Sequence, residues 1–354
     1  MSIEPRRKRE KLPFDLMPTS IEGVYSFVPP PKGIDLRSAS RRTLLKHGIL
    51  MRRPDPEKEP RRFALWSRFL GEIYTEGNFV SPIFGPQQAI PHNLKGLRPA
   101  PDGGYVSDNW SGCAVVGNWV GAMGVWRVPT VSKPSTPAGP DGQWQSASWV
   151  GLDGGGALIP GTSTSDVLQA GVTQNVGSNG QANYFSWYEW FVPNYAALAP
   201  TIPYVLPIPI SSVPVNSGDT ISVVVQYVRQ QGDEIGNPLP PAGPYHFGGV
   251  LLVNVTTNKG VNLYLAPPPG ASFAGDSAEW IMECPDGKNG GTLPQFSPIT
   301  FNEAGACNVN DAPPASSAGV ELQNADLIQF GDAYGTTETS ESAGTGVVNI
   351  NYQG

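Results

Sequence analysis

The chain has 354 residues, enough for one large domain and a smaller segment, and its 42 Gly and 37 Pro exclude a helical bundle because turn formers interrupt it too often. An apolar fraction of 39% with 9 Trp excludes wholesale disorder. The net charge of −7 is unevenly distributed: residues 1–98 hold 18 of the 23 Lys and Arg but only 10 of the 30 Asp and Glu. With so few cations left after residue 98, nucleic-acid binding is not expected there.

Membrane insertion is not expected either, because no run of about 18 apolar residues occurs. The basic stretch Arg6-Arg7-Lys8-Arg9 leads into Pro and Asp rather than into an apolar segment, so no secretory signal is visible. The three cysteines allow at most one disulfide, and Cys284–Cys307 is the candidate pair that the sequence leaves open.

The N-terminal segment, residues 1–104, has its own pattern. Apolar residues at helical spacing predict a helix from Pro60 to Tyr74, and a weaker one is predicted from Arg37 to Leu50. Between Ser81 and Gly104 five prolines indicate a linker or an extended arm. We therefore treat residues 1–104 as a basic segment distinct from the rest.

Residues 105–354 are predicted to be all-β. Short runs rich in β-branched and aromatic residues recur between clusters of Gly, Pro, Asn, Asp and Ser, and Thr257-Asn258-Lys259-Gly260 is typical of a hairpin turn. The continuous apolar run Val223-Val224-Val225 indicates a strand buried on both faces. Many short strands over this length predict a sandwich of two antiparallel sheets or a barrel. The predicted strands are Trp110–Gly117, Ala147–Leu152, Val167–Val172, Tyr184–Phe191, Thr220–Val228, Val250–Val255, Val261–Leu265, Glu279–Glu283, Ile299–Phe301 and Val347–Tyr352.

Several catalytic motifs are missing from the sequence, and their absence narrows the choice of candidate catalytic groups. Of the three histidines only His246 lies in the predicted β domain, no HExxH motif is present, and a zinc site is not expected. A serine nucleophile elbow, GxSxG, is also missing, and no SxxK spacing supports a lysine-activated serine. Carboxylates and amides remain as candidate catalytic groups, without a metal or cofactor.

Four segments bring such groups into strands. Asp153 follows Trp149-Val150-Gly151-Leu152, Gln169 lies inside the apolar Val167–Val172 run, Glu189 lies among aromatics, and Ala278–Glu283 carries two acids. Each group alone has an ordinary structural role, such as closing a turn or satisfying a backbone group.

Together, and in this order, these segments resemble the glutamic peptidase family (the eqolisins). The resemblance also includes Asn109-Trp110-Ser111-Gly112 and covers roughly residues 105–352. Five ordered motifs carry it: Asn109–Gly112, Trp149–Gly154, Leu168–Gly171, Tyr188–Trp190 and Ala278–Glu283.

The resemblance implies a β-sandwich acid endopeptidase that acts on polypeptides. Gln169 and Glu283 take the positions of the family's catalytic dyad, Glu283 as general base and acid and Gln169 as the oxyanion donor. Residues around the substrate would be Trp110, Trp149, Asp153, Tyr188, Glu189 and Trp190. Ala170 and Leu152 stand where Thr and Ile are common in the family, and Val192–Val215 and Arg229–Phe247 are long connections. These departures leave the cleavage preference open.

The resemblance also implies an inhibitory prosegment, so we expect a zymogen. The basic residues 1–104 precede a strongly acidic remainder, and we expect Lys95 or Arg98 to reach Asp153, Glu189 and Glu283. Self-cleavage in acid between about Lys95 and Ser107 would follow. The alternative is a permanently attached accessory domain built around the Phe63–Ile73 helix. We expect a monomer that is secreted or works in an acidic compartment.

Two other functions fit parts of the pattern. A carbohydrate-binding sandwich would use Trp110, Trp187 and Trp190 as stacking platforms, but it leaves Gln169 unexplained. A glycosidase would use Glu189 and Glu283 as acid and nucleophile at one of two characteristic separations.

Overall fold

The computed structural model describes residues 14–50, 53–75, 77–100, 103–156, 158–229, 246–287, 292–307, 326–330, 339–344 and 346–353. The N-terminal part begins with a hairpin and two helices. Their bounds are β1 Leu16–Pro18, β2 Val24–Phe27, α1 Arg41–Lys46 and α2 Pro60–Ile73. Both predicted helices are therefore present, the first shorter than expected. The predicted arm that follows contains only one two-residue strand, β3 Arg98–Pro99, among its described residues.

Strands dominate the rest of the chain. They are β4 Tyr105–Ser107, β5 Trp110–Val116, β6 Gly121–Arg127, β7 Val131–Ser132, β8 Gln143–Leu152, β9 Val167–Gly177, β10 Ala182–Phe191, β11 Ile208–Pro209, β12 Thr220–Arg229, β13 His246–Asn254, β14 Lys259–Leu265, β15 Ser277–Glu283, β16 Gln295–Phe296, β17 Ile299–Cys307, β18 Asp326–Phe330, β19 Thr339–Gly344 and β20 Val347–Tyr352. A short helix, α3 Tyr195–Leu198, and a 3₁₀ turn at Pro203–Val205 interrupt them. All ten predicted strands are found, several of them longer than predicted.

Two nine-stranded sheets face each other and confirm the all-β sandwich. The back sheet has the order β1-β2-β14-β13-β12-β6-β17-β20-β19, and the front sheet has the order β11-β10-β9-β8-β15-β5-β18-β4-β3. Among the described strands every pair is antiparallel except β18 with β4. A separate two-stranded ribbon joins β16 to β7.

The main core lies between the sheets, where alternate residues of each strand meet. From the front sheet it takes residues such as Leu168, Ala170 and Val172, and from the back sheet Val223 and Val225. The residues between them in sequence on β9, including Gln169 and Gly171, point to the opposite face because successive side chains alternate across a strand. That outer face of the front sheet carries the candidate site.

Helix α2 covers the outer face of the back sheet. Its Trp66, Phe69, Leu70 and Ile73 are buried, and they share one apolar cluster with Val224. Pro60 at the first helical position suits the start of the helix because its missing N–H would have no intrahelical partner there. The Val223–Val225 run is therefore buried on both faces, as the sequence predicted.

The N-terminal segment is joined to the sandwich at several points. Strand β2 pairs with β14 at the edge of the back sheet, and Phe79 and Phe84 form single bridges to Gly260 and Ile210. From there the chain continues to the front sheet, where Leu94 and Leu97 pack on its outer face. The described residues between 14 and 100 thus follow the surface of the sandwich from the back sheet to the front sheet.

No helix within the described residues is both long and apolar enough to cross a membrane. All three cysteines are buried. The turn between β13 and β14 contains Asn258 at a positive φ of 52°, as suits the hairpin predicted at Thr257–Gly260.

Candidate active site

The register of four neighbouring strands brings the candidate groups together. Glu189 of β10 pairs with Gln169 of β9, and Gln169 pairs with Gly151 of β8. Gly151 in turn pairs with Glu279 of β15, and Glu283 lies four residues further along the same strand. Because side chains repeat every two residues on one face, all of these groups share the outer face of the front sheet.

Glycine is required at two positions of this face. A Cβ added at Gly171 would lie 2.2 Å from the carbonyl oxygen of Ser148, and one added at Gly151 would lie 2.8 Å from the Trp149 ring. Real Cβ atoms do not approach other atoms so closely. The glycines of the Trp-Val-Gly and Gln-Ala-Gly motifs therefore make room for the side chains of Trp149 and Gln169.

Glu283 is fully buried and is held by three neighbours. Asn109 Nδ2 donates to Oε1 at 2.9 Å, and Trp149 Nε1 donates to Oε2 at 2.9 Å. His92 Nδ1 lies 2.9 Å from the same Oε2. An ionised carboxylate only accepts hydrogen bonds, so the imidazole nitrogen donates in the third contact when Glu283 is ionised. Trp110 packs edge-on against Trp149, with ring centroids 4.9 Å apart.

Gln169 is fixed through its amide nitrogen. Nε2 donates to Glu189 Oε2 at 2.8 Å and to the backbone carbonyl of His92 at 2.5 Å. Both partners are acceptors, so the amide must present its NH₂ to them. Gln169 Oε1 is buried and has no hydrogen-bond partner among the described residues. The amide nitrogen thus donates to a peptide carbonyl, and the amide oxygen has no hydrogen-bond partner among the described residues.

Glu189 orients this amide. Its Oε2 also accepts the backbone N–H of His92 at 3.1 Å. Burial, and then the nearby charge of Glu283, raise the pKa of Glu189 well above its usual range. In mild acid Glu189 is therefore neutral, and it remains an acceptor for Gln169 through Oε2.

His92 is the site residue that sequence reasoning missed. Its ring stacks on Trp187 with centroids 4.1 Å apart and an interplanar angle of 15°. Its backbone and ring together contact Gln169, Glu189 and Glu283. Elimination discarded it because it lies upstream of the β domain, whereas the extended arm carries it onto the sheet. The arm's prolines were the available signal that this segment lies along a surface.

The cationic contacts expected of the arm differ from those found. Lys95 Nζ donates to the carbonyl of Pro285, and Arg98 forms an ion pair with Asp108 at 2.9 Å. The direct contacts to Glu189 and Glu283 come from His92 instead. Lys95 acts on Glu189 only through its charge, which opposes the rise of that pKa.

Three of the expected substrate-binding residues lie elsewhere. Tyr188 and Trp190 alternate with Glu189, so their side chains belong to the core between the sheets, where Trp190 packs against Tyr227. Asp153 ends β8, and its carboxylate accepts the backbone N–H groups of Ala274 and Asp276 at 2.9 and 2.8 Å. Burial raises the pKa of Asp153 to about 7. Its carboxylate holds the neighbouring loop, whereas Trp110, Trp149 and Glu189 surround Gln169 and Glu283.

Comparison with known proteins found a matching family model and similar solved structures. The family model described as the Peptidase A4 family matches residues 108–352. Among solved structures, the chain is similar to a scytalido-glutamic peptidase bound to a transition-state analogue inhibitor, at 20% identity and a TM-score of 0.49 over 69% of this chain and 98% of the other. It is also similar to the aspergilloglutamic peptidase of Aspergillus niger, at 22% identity and a TM-score of 0.40 over 59% and 99% of the two chains. The search of curated proteins found no match.

The family match spans more than half of the chain and includes every strand that carries the candidate dyad. It decides against the alternatives of a carbohydrate-binding module and a glycosidase. The chain belongs to the Peptidase A4 family, and it is a glutamic endopeptidase that hydrolyses peptide bonds.

Proposed function

We propose that Gln169 and Glu283 are the catalytic dyad of this peptidase. The observation that supports this most directly is that both side chains contact the same residue, His92. Gln169 Nε2 donates to the His92 carbonyl. The carbonyl of a substrate peptide bond would need a hydrogen-bond donor at the same place. Glu283 lies beside it with its carboxylate held by Asn109 and Trp149.

The proposed reaction is direct attack by water. Glu283 takes a proton from the water as the oxygen attacks the peptide carbonyl, and it then returns the proton to the leaving nitrogen. Gln169 Nε2 stabilises the oxyanion, and its vacant Oε1 is available to orient the water. An amide keeps its N–H donors at every pH, so this stabilisation does not depend on protonation.

Two substitutions test the proposed dyad, a truncation of Gln169 and a near-isosteric change of Glu283. Gln169→Ala removes the oxyanion donor and should lower kcat by about 10²–10³. Glu283→Gln removes the base and should lower it by at least as much. Hydrolysis of an unfolded protein substrate in acid is the measurement, with circular dichroism to confirm folding. Glu279→Gln, on the same face of the same strand, is the matched control and should retain activity. Near-normal activity in Glu283→Gln would refute the assignment.

We further propose that residues 1–104 are an inhibitory prosegment of a monomeric enzyme that works in acidic surroundings. His92 and its neighbours occupy the place where a substrate would lie, with backbone contacts to Gln169 and Glu189. Asn109 also binds the arm, since its Nδ2 donates to the Asn93 carbonyl at 2.8 Å and its Oδ1 accepts the Lys95 N–H at 2.9 Å. The raised pKa of Glu189 supports a working range in acid.

A further inference from the structure

We propose that Trp187 and Glu283 form a binding subsite for an imidazole ring, and that the chain's own His92 fills it. The subsite lies between the flat face of Trp187 and Oε2 of Glu283. Its consequence for catalysis rests on the proposed function, because a ring bound there holds the carboxylate that would otherwise activate water.

Two independent contacts define the ring that fits. Trp187 offers a planar face, and the His92 ring lies nearly parallel to it at 15°. Glu283 Oε2 offers an acceptor 2.9 Å from Nδ1. A planar ring with an N–H at its edge satisfies both at once. A saturated ring lacks the stacking, and a phenyl ring lacks the donor.

The subsite is built rather than incidental. Trp187, Glu283 and Trp149 are all fully buried, and His92 is only 4% exposed. Trp149 Nε1 fixes the same Glu283 oxygen that the imidazole contacts. The ring therefore lies among buried side chains, and one of them, Glu283, is fixed by contacts other than His92.

The backbone of the arm does not depend on this ring. The His92 carbonyl and N–H are bound by Gln169 and Glu189, and the Asn93 carbonyl is bound by Asn109. Replacing His92 with Ala should therefore leave a ring-sized space between Trp187 and Glu283. The His92 side chain contacts Glu283, the proposed base, and the His92 carbonyl accepts from Gln169, the proposed oxyanion donor. Histidine at this position therefore makes the arm an inhibitor.

The test is chemical rescue with free imidazole near neutral pH, where self-cleavage of an acid peptidase should be slow. Imidazole in the millimolar range should raise the thermal unfolding midpoint of His92→Ala but not that of the wild type, whose subsite is filled. His92→Phe is the matched control: its ring fills the space, so imidazole should have no effect.

The role of Trp187 is tested in the His92→Ala background. Adding Trp187→Leu should weaken imidazole binding by about threefold to tenfold, and Trp187→Phe should restore part of it. The subsite is overturned if imidazole fails to bind His92→Ala, or if it binds equally well without the aromatic face.

Activity separates this inference from the proposed function. In acid, imidazole should inhibit peptide hydrolysis by His92→Ala competitively. Imidazole binding by His92→Ala together with near-normal hydrolysis by Glu283→Gln would overturn the proposed dyad and leave the subsite standing. Hydrolysis that is insensitive to imidazole would overturn the subsite and leave the dyad standing.

Discussion

At the scale of single residues, the carboxylate of Glu283 is held by neighbours from two different parts of the chain. Trp149 and Asn109 belong to the front sheet or its border, and they donate to different oxygens of Glu283. His92 comes from the arm. An enzyme freed of the arm would keep the first two donors, so they are the contacts that would position the base during turnover.

Trp149 provides a prediction at this scale. Trp149→Phe keeps the aromatic packing but removes the Nε1 donor to Glu283, and a hydrogen bond to a charged group is worth about 1.5–3 kcal/mol. We expect kcat to fall about 10- to 100-fold with little change in KM. Steady-state kinetics on a peptide substrate would measure kcat and KM separately.

The neighbouring Trp110 gives the matched control. Its Nε1 is buried and has no hydrogen-bond partner among the described residues, so Trp110→Phe removes no contact to the dyad. This variant should retain most of its activity. Equal losses in the two variants would mean that ring volume, rather than the hydrogen bond, matters at Trp149.

At the scale of secondary-structure elements, helix α2 closes the outer side of the back sheet. Trp66 is fully buried, and its helix shares an apolar cluster with Met123, Val224 and Leu251. The side of β12 that faces away from the front sheet is covered in this way. The continuous apolar run at Val223–Val225 is stable there only while the helix covers it.

The helix contact is tested by Trp66→Ala. Removing a large buried aromatic side chain should lower the free energy of unfolding by about 3–5 kcal/mol. Denaturant unfolding would measure it. Glu72→Ala on the same helix is the control: Glu72 is half-exposed and its contact with Arg68 is 3.8 Å, so the change should be within about 0.5 kcal/mol. A loss below about 1 kcal/mol for Trp66→Ala would mean that α2 contributes little to the fold.

Local composition and the alternation of side chains along a strand together explain which sequence predictions were confirmed and which were wrong. Strand positions were predicted well because β-branched and aromatic runs between turn formers mark them directly. Strand β6, Gly121–Arg127, was missed because its two glycines and its methionine weaken that signal. Tyr188 and Trp190 were grouped with Glu189 because they adjoin it in sequence, although a period of two places them on the other face.

At the scale of the whole molecule, buried carboxyls determine how stability depends on pH. Burial raises the pKa of Asp153 to about 7, that of Glu341 to about 8, and that of Glu279 well above its usual range. In the unfolded chain these groups release their protons near pH 4. Unfolding at intermediate pH therefore releases protons, and a rise in pH favours the unfolded chain.

Stability should accordingly fall as the pH rises from about 4 to about 7, with each such carboxyl contributing about 1.4 kcal/mol per pH unit until its folded-state pKa is reached. Glu279→Gln removes one of these carboxyls, so the variant should gain stability relative to the wild type at neutral pH and little at pH near 4. Denaturant unfolding over a pH series would measure both. Glu57→Gln, an exposed change, is the control. Wild-type stability that rises over this range would contradict the prediction.

Processing of the N-terminal segment is the last prediction at this scale. If the segment is a prosegment, the wild type held in acid should cut itself near the front sheet, whereas Glu283→Gln should stay full length. The cut segment should remain bound after nicking, because β2 is hydrogen-bonded to β14 and α2 is packed on the back sheet. Denaturing electrophoresis should show two pieces that elute together in native size-exclusion chromatography.

Two results would count against these expectations. A wild type that stays full length and is already active in acid would support the permanently attached accessory domain instead. Release of the N-terminal piece under native conditions would mean that the contacts of β2 and α2 are weaker than their burial indicates.

The sequence by itself determined the all-β class, the positions of ten strands, the family and the two dyad candidates. These follow from local composition, from the period of two along each strand, and from five motifs in a fixed order. Tertiary structure alone decided that His92, 77 positions before Gln169, reaches the site, and that Trp187 rather than Trp190 faces it. The physical reason is that contacts across a sheet depend on register and on the path of the arm, and neither is encoded in the spacing of residues within a single strand.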